Sequence, residues 1–315
     1  MCIRDSGLFK ALLFLGAGSV LHATGTREMS RLGGLWKAMP WTASLFTLGA
    51  MAISGLPPLN GFVSEWLVYR GLLDAGRLKT GVALGALPAA ILLGVTGALA
   101  LACFVKVCGV VFLGAPRSED VAKARECGVG MRAAMTVLGA CCLIIGLAPA
   151  FFWPTLLRVA SVWAHTDSGL IVPNPLSPLG TAHLLLALAA LAVAATAVIL
   201  LRGRQKRALT WDCGYRAPSS RMQYTAGSFA GIITAWFGWI LRPTVKVSLP
   251  ADIFPARSSL ESRTPETVLE QVVIPAATYI LRLADFVRTF QHGRVQSYLL
   301  YLCAAILVLS IAVLL

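Results

Sequence analysis

Residues 53–66, Ile-Ser-Gly-Leu-Pro-Pro-Leu-Asn-Gly-Phe-Val-Ser-Glu-Trp, restrict the fold of this chain more than any other stretch. An apolar run that begins near Trp41 reaches Leu56, meets Pro57-Pro58, passes Asn60-Gly61 and resumes with Phe62-Val63 before Glu65. Two prolines remove two helix donors and push the residue before them out of the α region, so a helix must break or unwind here. Irregular backbone at membrane depth survives only where it is buried in protein or lines a wet cavity. An ionisable residue beside such a break marks a functional site by default, and that residue is Glu65. The plainer alternative is a loop between two ordinary spans, with Glu65 among the headgroups.

Composition supports the membrane setting. The 315 residues are 57% hydrophobic and 13% charged, with mean hydropathy +0.76, more apolar surface than a soluble domain of this size could bury. The formal charge of +13 does not point to nucleic acid, because the basic residues flank apolar runs in short clusters, the positive-inside pattern of membrane topology. Eight cysteines (Cys2, Cys103, Cys108, Cys127, Cys141, Cys142, Cys213, Cys303) form no C-x-x-C pair and read as small packing hydrophobes. The four histidines (His22, His165, His183, His292) lack mutual metal-ligand spacing. No Walker-type loop occurs, and Gly16-Ala-Gly18 reads as a close-packing feature of a membrane helix. The sequence therefore assigns no metal, no cofactor, no catalytic residue and no electron carriage to this chain.

The apolar runs define an all-α, polytopic membrane protein of about six transmembrane helices, the second broken at Gly55–Asn60. The expected spans are Gly7–Ala23, Pro40–Leu73 through the break, Gly81–Leu113, Met131 to about Trp153, Ala182–Leu201 and Ser297–Leu315. The stretch Pro154–Pro178 reads as a weakly charged connection, and Gln223–Leu241 as interfacial or re-entrant. Pro250–Pro265 reads as a proline-punctuated loop. Met1–Ser6 looks foreign beside the apolar run from Gly7 and is set apart as a leader, since no signal-peptide pattern brackets it. If the cluster Arg202, Arg204, Lys206 and Arg207 is cytoplasmic, strict alternation puts the two other basic loops on the same side.

Thr264-Pro265-Glu266 reads as N-cap, first-turn proline and early acid, opening an amphipathic helix over 264–292. Its apolar face carries Val268, Val272, Ala276, Ile280 and Leu283, opposed by Glu270, Arg282, Asp285 and Arg288. Such a helix lies along the membrane surface rather than crossing it. Pro275 inside it should kink it. The resulting organisation is 1–6 leader, 7–201 transmembrane half-channel, 202–263 linker region, 264–292 lateral helix and 293–315 terminal span.

Lys10, Glu65 and Lys106 are the ionisable residues placed within the bilayer, where a charge costs from ~2.5 to over 10 kcal/mol. They are expected to share one interior polar axis. Lys10 lies about 13 residues, ~20 Å, from the basic end of its span, and Lys106 about seven residues, ~10 Å, from the end of its own. Lysine and glutamate lose or gain protons readily when desolvated, so groups of this kind joined by water form a proton relay.

With these residues in place, the chain resembles the C-terminal part of an antiporter-like proton-channel subunit of the complex I, Mrp antiporter and membrane-bound hydrogenase family. Phe9-Lys-Ala-Leu-Leu-Phe-Leu-Gly-Ala-Gly-Ser-Val20 is similar to the family's eleventh helix with its lysine. The 53–66 stretch resembles the broken twelfth helix, whose charged residue falls on Glu65. Cys103-Phe-Val-Lys106, Phe112-Leu-Gly-Ala-Pro-Arg117, Trp211-Asp-Cys-Gly-Tyr215, Arg221-Met-Gln-Tyr-Thr225, and Gly293-Arg294 with Tyr298-Leu-Leu-Tyr301 are similar to the hydrogenase-4/formate hydrogenlyase branch. The resemblance implies a non-redox subunit of a proton-pumping oxidoreductase in a bacterial or archaeal inner membrane. Glu65 would be the exchangeable site, Lys10 a midplane relay and Lys106 a link to an aqueous side. Pro57, Pro58, Asn60 and Gly61 would form the break. The partners would be other membrane subunits of a complex I-like or hydrogenase assembly, the lipid bilayer and protons, with no nucleic acid. The alternatives are a subunit of a sodium/proton antiporter, with sodium in place of the proton, and a structural membrane subunit without conduction.

Overall fold

The computed structural model describes residues 2–77, 81–164, 174–201, 222–248, 259–266, 269–288, 293 and 295–314. They fall into two units, Met1–Phe229 and Ala230–Leu315. The described part is helical throughout, apart from one short β-ribbon. Five helices are long and apolar enough to cross a membrane: Gly7–Thr24, Ala83–Phe112, Val129–Leu147, Ser177–Leu200 and Val295–Val313. The chain is a multi-pass membrane protein.

In the first unit, α1 (Cys2–Thr24) packs against α3 (Pro40–Ile53) and α7 (Val129–Leu147), with α2 (Leu35–Ala38) in the intervening loop. α4 (Asn60–Gly76) packs on α5 (Val82–Phe112) and α7; α6 (Glu119–Ala122) lies before α7. α3 has 14 residues, about 21 Å of helix. It is too short alone for a hydrocarbon core of about 30 Å, and the chain continues through the break into α4. Pro40 occupies the first turn of α3, where its missing N–H has no intrahelical acceptor to lose.

Small residues set the helix spacing. Gly16 meets Phe46, Gly49 meets Leu12 and Leu13, and Gly139 meets Leu45, which lets backbones approach where lipid gives no hydrophobic drive between helices. Leu12, Leu35, Met39, Ala43, Met135 and Phe112 are fully or almost fully buried between these elements, and the rings of Phe46 and Phe112 lie 5.3 Å apart. The loop after α1 is pinned to the end of α5 through Gly34 N–H donating to Leu113 O at 2.8 Å. Gly34 has φ +67, and a side chain there would press on Gly114 and Pro116, so glycine is required.

Several boundaries differ from the sequence expectation. Residues 2–6 continue the backbone of α1 rather than standing apart. The expected span from Met131 to about Trp153 ends as an α-helix at Leu147 and passes into a 3-10 turn, Pro149–Phe152. The supposed connection after it holds α8 (Trp153–Ala164); Pro154 falls in its first turn, where proline is tolerated. α9 (Ser177–Leu201) comes next, its approach closed by Leu176 N–H on Asn174 Oδ1 at 3.0 Å.

From residue 226 onward, α10 (Ala226–Trp236) and α11 (Gly238–Leu241) occupy the stretch read as interfacial. β1 (Thr244–Ser248) pairs antiparallel with β2 (Ser259–Arg263), from Thr244↔Arg263 to Ser248↔Ser259. The expected loop 250–265 is therefore partly strand. Its part 250–258, the basic cluster 202–207, the motif 211–215, Arg221, Val268, His292 and Arg294 lie outside the described residues. The expected helix over 264–292 is present as a π-helical turn, Leu269–Val273, running into α12 (Ile274–Arg288). The proline effect at Pro275 takes this form: Pro275 cannot donate to Gln271 O, and the turn just before it is widened. α13 (Val295–Leu314) closes the described chain.

Candidate functional site

α3 ends at Ile53 and its last carbonyls are taken up by a loosening series of bonds. Ser54 N–H and its hydroxyl both donate to Ala50 O (3.2 and 2.8 Å), Gly55 N–H to Ala52 O (3.2 Å) and Leu56 N–H to Met51 O (3.1 Å). Helix ends leave such carbonyls unpaired, and here the unwinding chain supplies donors to Ala50, Met51 and Ala52. Pro57 and Pro58, joined by a cis peptide bond, then carry the chain to Leu59, and α4 starts at Asn60. Gly61 packs directly on the Ala52 carbonyl, where any Cβ would collide. On the far side, a Cβ on Gly146 of α7 would collide with Pro58 O and lie 2.8 Å from Leu59 C. The break is thus enclosed by backbone from α3 and α7, and Leu59, Asn60, Val63 and Ser64 are buried around it.

Glu65 sits one turn into α4 and is half-buried. Its carboxyl group lies against Gly55, with Cδ 2.7 Å from the position a Cβ on Gly55 would take, and Oε2 is 3.9 Å from the corresponding point on Gly97 of α5. Gly55 has φ +64; glycine both permits that turn and leaves room for the carboxylate. Glu65 therefore faces the unwound segment and α5.

The two lysines are not gathered with it. Lys10 is exposed on α1, on a stripe continued by Phe14 (78% exposed), Ala17 and Gly18; the buried face of α1 is Phe9, Leu12, Leu13, Ser19 and Val20. Lys106 is half-buried on α5. It lies nine positions after Gly97, about 13 Å along the axis and half a turn out of phase, so it leaves α5 on the side opposite the face that meets Glu65. Among the described residues no ion pair or hydrogen bond joins Lys10, Glu65 and Lys106. No cluster of His, Cys, Asp or Glu suited to a metal occurs among the described residues.

Two polar groups that the sequence did not single out anchor the helices around the break, one at the start of α3 and one behind Gly146. Glu126, in the loop before α7, caps α3 from 84 positions away: its Oε2 accepts from Trp41 N (2.8 Å) and Thr42 N (3.3 Å), its Oε1 from the Thr42 hydroxyl (2.5 Å). Ser19 of α1 joins through Thr42 Oγ1 at 3.0 Å. Burial would push the Glu126 carboxyl up, but the hydrogen bonds from Thr42, Cys127 and Trp41 outweigh it and hold it below the ordinary value. His183 of α9 is buried, with Nδ1 2.8 Å from Gly146 O and its ring 5.3 Å from that of Phe62.

Residues 6–91 match the Proton_antipo_M family, the transmembrane region of NADH:quinone oxidoreductase and Mrp antiporter subunits. Hydrogenase-4 component B of Escherichia coli is 34% identical over 99% of this chain and 48% of its own length. Formate hydrogenlyase subunit 3 of the same organism is 36% identical over 76% of this chain and 39% of its own. The chain spans about half or less of these relatives. In the membrane-bound sulfane sulfur reductase, an archaeal respiratory membrane complex, one chain shares the fold with TM-score 0.59 and 20% identity, over 97% of this chain and 46% of its own length. The helix break at 53–61 falls inside the matched region, so residues 6–91 carry the transmembrane domain shared by NADH:quinone oxidoreductase and Mrp antiporter subunits.

Proposed function

We propose that this chain translocates protons as part of an antiporter-like subunit of a complex I-like membrane oxidoreductase, of the hydrogenase-4 or formate hydrogenlyase type. The observation that carries the reading is the Glu65 carboxyl group seated on the unwound backbone at Gly55 and beside α5. A carboxylate in lipid is costly, and a break lined by peptide groups is a setting in which it can be kept and exchanged. In this reading Glu65 takes up and releases the proton, and Lys106 serves an aqueous side of α5. The exposed stripe of Lys10 is a docking face for further transmembrane helices, and Lys10 joins the path once covered.

The redox chemistry belongs to partner subunits, and the setting is a bacterial or archaeal inner membrane. Residues 7–201 form the half-channel, with 202–263 as linker region and 293–315 as terminal span. The stretch 264–292 is the lateral helix; its charged Arg282, Asp285 and Arg288, all exposed, support a surface position. The family match to Mrp antiporter subunits favours one second reading, sodium/proton exchange. The test is Glu65→Gln in the full-length protein within its complex, reconstituted in liposomes. Assembly and redox turnover should persist while proton translocation is lost; unchanged translocation overturns the reading, and sodium-dependent acidification in the absence of redox substrate supports the antiporter.

A further inference from the structure

His183 stands in the first turns of α9, whose 25 residues carry no other ionisable side chain. It is 2% exposed. Its Nδ1 lies 2.8 Å from Gly146 O, a carbonyl at the C-terminal end of α7, where helical acceptors lack intrahelical donors. A peptide carbonyl only accepts, so Nδ1 carries the hydrogen and Nε2 is left with a lone pair. Nε2 is buried and has no hydrogen-bond partner among the described residues. A buried, unpaired imidazole nitrogen is unfavourable in an apolar setting, and a leucine at this position would pack without that penalty.

The location gives the histidine something to act on. Gly146, which it holds, is pressed against Pro58 and Leu59. Phe62, whose ring centroid lies 5.3 Å from that of the imidazole with the two planes at 59°, is in the first turn of α4, three residues before Glu65. A positive charge on the ring would be met by the carbonyl end of α7. The groups around it are few. On α7 the titratable residues are Arg132, Cys141 and Cys142, of which buried Cys142 is one turn from Gly146. The 3-10 turn Pro149–Phe152 has none, and α4 contributes Glu65, Tyr69, Arg70 and Asp74.

We propose that His183 is a proton-loading site at the back of the helix break. A hydronium ion gives its proton to the Nε2 lone pair: an O–H bond breaks and leaves water, an N–H bond forms, and the ring becomes imidazolium with Nδ1–H still on Gly146 O. Because that carbonyl cannot take a proton onward, loading and release both occur at Nε2. His183 is a side station of the path, setting the charge behind the break, and not a link in a through-chain. This rests on the proton-translocating role proposed above.

Two experiments test it. In the full-length protein within its complex, His183→Asn keeps a donor where Nδ1 stands and removes the titration, whereas His183→Leu removes both. The Asn variant should assemble as wild type and lose one protonation step from the pH profile of proton translocation. A profile superposing on wild type reduces His183 to a cap of α7 and overturns the proposal. Independently of assembly in the complex, the chain in lipid nanodiscs with His22, His165 and His292 replaced by Gln leaves one histidine for ¹⁵N NMR. The Nδ1–H tautomer at high pH and a doubly protonated ring at low pH are expected; a ring neutral across the range overturns the proposal. If Glu65→Gln left translocation intact while His183 still titrated, the proton-path reading would fail and the loading site would stand.

Discussion

Glu126→Ala tests whether a carboxylate from one loop fastens the start of α3. The substitution removes the acceptor for Trp41 N–H (2.8 Å), Thr42 N–H (3.3 Å), the Thr42 hydroxyl (2.5 Å) and Cys127 N–H (3.1 Å). Trp41 is exposed, so water can replace the lost acceptor there. Thr42 is fully buried; its hydroxyl keeps Ser19 Oγ at 3.0 Å and Cys127 Sγ at 3.6 Å, while its amide is left unpaired. A lost N-cap costs about 0.5–2 kcal/mol and a stranded buried donor about 1–3 kcal/mol. These overlap, giving a net loss of about 2 kcal/mol. At about 2–4 °C per kcal/mol for a unit of this size, the thermal midpoint falls by about 4–8 °C. The pH dependence comes from the depressed carboxyl. The stabilisation is full above the ordinary value of 4.5 and is lost as pH falls from there through the lowered folded value. Thermal unfolding of wild type and variant in the same detergent should show a constant gap at neutral pH that narrows only in acid. A variant as stable as wild type at pH 7, or a gap insensitive to acid, refutes the capping argument.

Gly146→Ala drives a methyl group into Pro58 and Leu59. Overpacking of this kind costs about 1–3 kcal/mol, so the yield of assembled protein should fall, and an undiminished yield would contradict the close approach. Gly55→Ala places a left-handed residue, about 1–2 kcal/mol, where the Glu65 carboxyl rests. Proton translocation should fall more than assembly, and equal losses would argue against a seated carboxylate. Cysteines introduced by Thr264→Cys and Arg288→Cys should both react with an impermeant reagent from the same side; opposite-side labelling would mean that this segment crosses the membrane.

The break was readable because proline chemistry is local: Pro57-Pro58 forbids a continuous helix whatever surrounds it, and α3 accordingly ends at Ile53 and α4 starts at Asn60. The long apolar spans were readable for a similar reason, since α5 and α9 declare themselves by length and composition. What the sequence hid depended on distant partners. Nothing near Glu126 announces a cap for residues 41 and 42, and a single histidine in a leucine-rich helix gives no sign that it meets Gly146. Lys10 and Lys106 were read for depth, which residue counting provides, but facing depends on which stripe of α1 or α5 its neighbours cover. α8 was missed because Pro154 and the later prolines suggested a connection, although a proline in a first turn is compatible with a helix. The β1–β2 ribbon was missed because strand pairing across 249–258 leaves only the short alternation Thr244-Val-Lys-Val-Ser as a local signal.

The fold-back of Glu65 onto Gly55 has an electrical consequence. Glu65 belongs to α4, but the depth of its carboxyl group is that of Gly55, just past the end of α3. With α3 rising about 21 Å through a core of about 30 Å, a charge exchanged there from the α3 side crosses roughly two thirds of the voltage drop. At 100 mV that is about 1.5 kcal/mol per elementary charge, a little more than a tenfold change in occupancy. If Glu65 exchanges a proton as proposed, the length of one short helix would set how strongly the membrane potential fills or empties the site, and a one-turn insertion in α3 would retune that response.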